Sequence, residues 1–264
     1  MLEIFTYSFM VRAFSSGAII GLLAPLIGTF LVARRYSLIA DSLAHVSLAG
    51  VAIGLITGIY PVYTALATTI IAALLIEQLR SSKRLSGESA LAIFLSGGLA
   101  VAITLIGLAN GFNVNLFSYL FGSIASVQNI DVWVIAGLGV TVGGIIILLY
   151  KELFFLSFDE EVAVVQGIRA NVINSMLMVL TAITVALSMR IVGALLVGAL
   201  MVIPVIAAMQ VARSFKATVF YAVGLGFVSV WAGLFAAYYL NIPAGGAIVL
   251  SSLALLLGSM LLRR

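Results

Sequence analysis

The segment Ser37-Leu38-Ile39-Ala40-Asp41-Ser42-Leu43-Ala44-His45-Val46-Ser47 sets a carboxylate and an imidazole four residues apart in an apolar stretch. At helical spacing, residues i and i+4 stack on one face. Carboxylate oxygen and imidazole nitrogen one turn apart are a ligand pair for a divalent transition metal. His45 is the sole histidine and cysteine is absent, so there is no thiolate site, disulfide framework or catalytic thiol. Two ligands do not complete a coordination shell, whereas a two-fold dimer would supply two Asp and two His. Ala44, Ala49, Gly50, Ala52 and Gly54 on the same helix are small enough to admit a second helix closely. The pair also reads as a hydrogen-bonded Asp–His couple that orients its helix, or as a proton relay, because histidine titrates near neutrality.

The elements that must position these residues are membrane helices. Of 264 residues, 64% are hydrophobic and 8% charged, and the mean hydropathy is +1.29. Soluble domains are about 45–50% apolar and about 25% charged, so a soluble enzyme or nucleic-acid reader is excluded. Apolar stretches recur near 13–33, 36–58, 61–79, 89–110, 130–150, 171–189, 191–212, 217–240 and 244–262. Each is long enough to cross a ~30 Å hydrocarbon core as a helix. The expected fold is an all-α polytopic membrane bundle of eight to nine spans, one transmembrane domain over residues 1–264. Leu116 to Val127 is apolar but too short to span, and is expected to be re-entrant or interfacial.

All of the 13 Lys and Arg except Arg12 and Arg190 fall in the Arg34-Arg35, Arg80–Glu88, Lys151–Arg169, Arg213–Lys216 and Arg263-Arg264 segments. Alternating threading puts those segments on one side, which the positive-inside rule assigns to the cytoplasm. The N-terminus is then expected outside and the C-terminus inside. The first apolar stretch, lacking a basic leader, is expected to remain in the mature protein. Counted from Arg35, Asp41 lies about 9 Å deep and His45 about 15 Å, near the bilayer midplane. An ionisable group there costs at least about 2.5–3.5 kcal/mol and marks function.

A second segment, Ser157 to Gly167, reads as a short helix of two to three turns. Ser157 and Glu160 form an expected capping box, Asp159, Glu160 and Glu161 suit the positive end, and Gly167 is a natural stop. It is either an interfacial connector or a docking element whose Phe158, Val162 and Val165 enter a groove on a cytoplasmic partner. The three lysines, Lys83, Lys151 and Lys216, never follow a glycine, so there is no phosphate-binding loop. Transport energy must come from a gradient or from a partner.

These residues resemble the membrane subunit of the zinc/manganese/iron family of ABC importers. Arg34 through Gly50 resembles the family's second-helix motif, Tyr119-Leu120-Phe121-Gly122-Ser123 its Leu-Phe-Gly element, and Phe158 to Gly167 its coupling region. Ile191-Val192-Gly193-Ala194-Leu195-Leu196 through Pro204, and Pro243-Ala244-Gly245-Gly246, resemble later signatures. The resemblance implies a type II importer-like homodimeric permease in the cell membrane, without catalysis or a resident cofactor of its own. It also implies two cytoplasmic ATPase subunits and an extracytoplasmic metal-binding protein as partners, and no nucleic acid. Asp41 and His45 match the family's metal ligands, and Phe158, Asp159, Glu160, Glu161, Val162, Val165 and Gly167 match the ATPase-coupling segment. Ala40 stands where relatives usually carry glycine. Ala44-His45 and Leu48-Ala49-Gly50 are closer in look to zinc permeases than to manganese ones. The contrasting expectation is a proton-coupled secondary metal transporter with Asp41 and His45 as relay, and a third is a structural scaffold.

Overall fold

The structure, a computed structural model, describes residues 2–82, 86–108 and 116–262. Lys83, Arg84, Arg263 and Arg264 of the expected basic side, and residues 109–115 of an expected outer connection, lie outside these ranges. Among the described residues the chain forms twelve α-helices: α1 Ser8–Ala33, α2 Ile39–Thr57, α3 Pro61–Ser81, α4 Gly87–Leu108, α5 Leu116–Phe121, α6 Asn129–Leu148, α7 Tyr150–Phe158, α8 Glu160–Val165, α9 Ala170–Ser188, α10 Val197–Val211, α11 Phe215–Leu240 and α12 Ala244–Leu262. Eight of them, all but α5, α7, α8 and α10, are long and apolar enough to cross a membrane.

The ninth expected stretch, 191–212, is helical only over the 15 residues of α10. That is about 22 Å of helix, short of the ~30 Å core. The reason lies just before it. Residues 189–196 leave the helix after Ser188 and lie against the segment around α5. Ala194 N donates to Tyr119 O (2.8 Å), Leu195 N to Leu120 O (3.1 Å) and Ser123 N to Arg190 O (3.3 Å). Gly193 has φ +88°, and a side chain there would strike the backbone of Leu120 to Gly122. Met189, Ile191, Val192 and Ala194 are buried. Hydropathy cannot separate such a buried broken segment from a helix, and non-helical backbone is tolerated among apolar surroundings only when protein satisfies it. The expected short element at Leu116–Val127 is therefore α5 plus a 3-10 turn at Ile124–Ser126, with 190–195 as its partner.

The centre of the bundle is made by α1, α2 and α9, each 67% buried over its spanning window, whereas α4 is 17% buried and peripheral. Helix α2 is enclosed by α3, α4, α9 and α10. Its small-residue face, expected to meet a second copy, is used within the chain. Gly50 sits against Thr68 and Ala65, Gly54 against Thr64 and Pro61, and Ala44, Ala49 and Ala52 are buried. Close approach of α2 to α3 consumes those positions.

The connection after α6 also differs from expectation. Ser157 does not cap the short helix; its hydroxyl donates back to Leu153 O (2.6 Å) inside α7. Asp159 is the N-cap instead, its Oδ1 accepting from Val162 N (3.0 Å). The resulting α8 is six residues long, shorter than the two to three turns expected. A serine whose own helix still offers a carbonyl one turn back bonds there, leaving capping to the first residue in extended backbone. Gly167, at φ +86°, ends α8 with Gly167 N donating to Val164 O (2.9 Å) and Ile168 N to Ala163 O (3.1 Å), a Schellman closure.

Candidate metal-transport site

Asp41 and His45 lie on the same face of α2, half-buried, where α10 begins. Gly198, in the first turn of α10, has no side chain, and a methyl group there would collide with the Asp41 carboxylate. The carboxylate thus rests against the N-terminal turn of a short helix, whose unpaired N–H groups carry partial positive charge. From the opposite side Gly98 of α4 lets that helix press on the α2 backbone at His45 and Val46.

Neither side chain is satisfied within the chain. Asp41 and His45 do not bond one another, and among the described residues neither has a hydrogen-bond partner. The His45 Nδ1 is buried and unpaired. No group of three or more His, Asp or Glu able to hold a metal occurs among the described residues, so one chain offers two donors. Such a half-shell can hold a passing cation while water or other groups complete it.

The other site residues gather around α8, on the side of the bundle where α1 turns into α2. Phe158 is 66% exposed, Val162 47% and Val165 88%, whereas Ala163 is fully buried and seats α8 on the body. Asp159, Glu160 and Glu161 are exposed at its start, with Asp159 committed to the cap. Phe158 has a second role: its ring packs at a tilt against Phe154 (4.9 Å between centroids) and edge-on to Phe215 (5.6 Å), joining α7 to α11. Burial raises the pKa of the nearby Tyr150 hydroxyl.

A third cluster escaped the sequence reading. At the end opposite α8, Asp131 accepts from Tyr60 Oη (2.6 Å) and from Gln128 N (2.8 Å), closing a capping box at the start of α6. Arg190 donates to Ser126 O (2.8 Å) and Tyr60 Oη (3.2 Å), and lies 3.7 Å from Asp131. Its guanidinium also lies over the Tyr60 and Tyr119 rings. Burial, helped by the bond to Asp131, raises the Tyr60 pKa, and burial likewise raises that of Tyr119. The available signal was positional: Arg190 is one of two basic residues off the basic side, and Asp131 is the acid of the opposite connections.

Eight long apolar helices make this a polytopic membrane protein. The chain belongs to the ABC 3 transport family, whose model matches residues 6–263. It is 35% identical to the manganese import system permease protein ScaB of Streptococcus parasanguinis, over 93% of this chain and 88% of that one. It is 30% identical to the high-affinity zinc uptake system membrane protein ZnuB of Haemophilus influenzae, over 93% and 94%. Among solved structures it resembles PsaBC from Streptococcus pneumoniae in complex with Fab, with TM-score 0.87 and 31% identity over 98% of this chain and 92% of that one.

Proposed function

We propose that this permease moves divalent transition-metal ions into the cytoplasm, with Asp41 and His45 as the transient ligands. The observation that carries this reading is the unpaired Asp41–His45 face of α2, set inside the bundle beside Gly198. The cargo sheds part of its hydration to an oxygen and a nitrogen donor, and the two open positions per chain allow release. A site that binds too tightly would not deliver its ion. Zinc is the cargo we assign, because imidazole suits zinc and zinc outranks manganese at mixed nitrogen–oxygen sites. The 35% identity to ScaB favours manganese as the second reading.

The proposed assembly is a homodimer in the cell membrane, N-terminus outside and C-terminus cytoplasmic, with residues 189–211 making a ninth crossing beside the eight long helices. Two ATPase subunits receive the exposed Phe158, Val162 and Val165 face at α8, with Asp159, Glu160, Glu161 and Gly167 shaping it. An extracytoplasmic binding protein delivers the metal at the opposite end. Family membership supports an ATP-energised partner over the proton-coupled alternative.

The test is uptake of zinc and of manganese into proteoliposomes holding the permease with its cognate ATPase, and with binding protein and metal outside. ATP-dependent zinc uptake that His45→Ala abolishes supports the reading. Uptake by the permease alone on a proton gradient, or wild-type uptake by H45A, overturns it. Preference for manganese overturns the cargo assignment only.

A further inference from the structure

Between α8 and the turn that launches α2 runs a chain of hydrogen bonds that no capping or packing need explains. Glu160 Oε1, in the first turn of α8, accepts from Asn174 Nδ2 (3.1 Å). Asn174, on α9, is 1% exposed, and its Oδ1 accepts from Arg34 Nη1 (2.7 Å). Arg34 is the first residue after α1 and stands seven positions before Asp41. Its successor Arg35 has φ +61°, the left-handed position of a Schellman closure of α1 in which Arg35 N donates to Val32 O (3.0 Å) and Tyr36 N to Leu31 O (2.8 Å).

The same turn is gripped from α3. Arg80 bonds the Tyr36 hydroxyl and lies over its ring, and is paired twofold with the buried Glu77 (2.9 and 2.8 Å). Arg34 keeps Nε and Nη2 buried and unpaired, and burial lowers its pKa, a tendency that Tyr36 and Glu160 partly offset. A polar cavity of about 210 Å³ separates Arg34, Arg35 and Tyr36 from Ser157, Phe158 and Glu160. The turn is therefore tied to α8 through one amide, with open volume beside the tie and spare guanidinium donors to re-form bonds after a shift.

We propose that Glu160–Asn174–Arg34 is the link by which movement of α8 is passed to α2, with Asn174 and Arg34 as positioning residues for Asp41 and His45. Asn174 is the pivot because its amide accepts from the arginine through Oδ1 and donates to the carboxylate through Nδ2 at once. Displacing α8 along the membrane surface pulls Glu160 from Asn174, frees Arg34 and lets the start of α2 shift against α10. The link rests on the ATP-driven import reading above.

The test uses the permease with its cognate ATPase in proteoliposomes, with Zn²⁺ and Mn²⁺ as probes, reading metal moved per ATP hydrolysed and the ATPase retained on purification. Asn174→Asp keeps the bond to Arg34 but repels Glu160, and is expected to lower metal moved per ATP about tenfold at unchanged ATPase retention. Adding Glu160→Gln to it restores a donor to the new carboxylate and is expected to recover coupling to within about twofold. A merely structural asparagine would change yield and not the ratio. Should N174D fail to assemble, Glu160→Ala on the exposed helix cuts the same link without altering a spanning helix. A wild-type ratio in N174D or E160A, or no recovery in the N174D/E160Q pair, overturns the link. A wild-type complex with no ATP-dependent uptake of either metal overturns the import reading instead.

Discussion

Two of the clusters of ionisable side chains in this apolar bundle are treated in opposite ways. At the end away from α8, Asp131 takes two hydrogen bonds at 2.6 and 2.8 Å from Tyr60 and Gln128, and Arg190 is held by Ser126 O and Tyr60 Oη with its Nε alone unpaired. On α2, Asp41 and His45 face one another's turn without a bond, and the His45 Nδ1 has no partner. Both arrangements sit in surroundings where an unpaired polar group is expensive. A closed cluster spends its groups on holding the broken 189–196 segment in place. An open one leaves them free, as the proposed transient cation site requires.

The contrast is broken most sharply at α2. Asp41→Asn or His45→Ala is expected to reduce metal transport at least about 100-fold, and in His45→Ala thermal stability holds or rises, since the buried unpaired Nδ1 is removed. Uptake in proteoliposomes paired with a thermal melt of the same preparation checks it. The mirror result is expected at the other cluster. Asp131→Ala strips Tyr60 of its acceptor and Arg190 of its counter-ion and should lower stability by about 3–5 kcal/mol, with transport per folded molecule retained.

Gly198→Ala probes the boundary between the two uses, because its methyl group meets the Asp41 carboxylate and nothing in the outer cluster. Zinc uptake should fall about tenfold with little change in melting temperature. The smallest effect is at Tyr60. Its pKa is raised by burial and by the bond to Asp131, so the folded state holds the proton more tightly than the unfolded chain. Its stabilisation is therefore full below the unfolded value of about 10 and is lost as pH rises beyond it. Tyr60→Phe should melt slightly earlier at neutral pH and show a flatter decline in alkali, read as melting temperature against pH.

Much of this arrangement is legible in the chain itself, for definable reasons. Length and hydropathy suffice for the eight long helices, since each must span the same thickness. The Asp41–His45 pair is legible because the two donors share one helix and the i, i+4 rule fixes their relation. What escapes is whatever depends on a distant segment. Gly198 becomes part of the site only through the packing of α10 on α2. The stretch 191–212 reads as a span because apolar residues that bury a broken backbone look like those that bury a helix. Ser157 looks like a cap until α7 is seen to run to Phe158 and supply it with Leu153 O. Gly50 and Gly54 announce a close helix neighbour but not which one, and α3 takes the place expected for a second copy.

The most direct measurement is X-ray absorption at the zinc edge on the full permease, purified without a histidine tag and loaded with one equivalent of Zn²⁺. Because His45 is the sole histidine, imidazole scattering has a single source in each chain. A nitrogen–oxygen shell with imidazole outer-shell scattering that vanishes in His45→Ala is the expected result. Zinc retained in a shell without imidazole, or an unchanged spectrum in H45A, would contradict a metal path through Asp41 and His45.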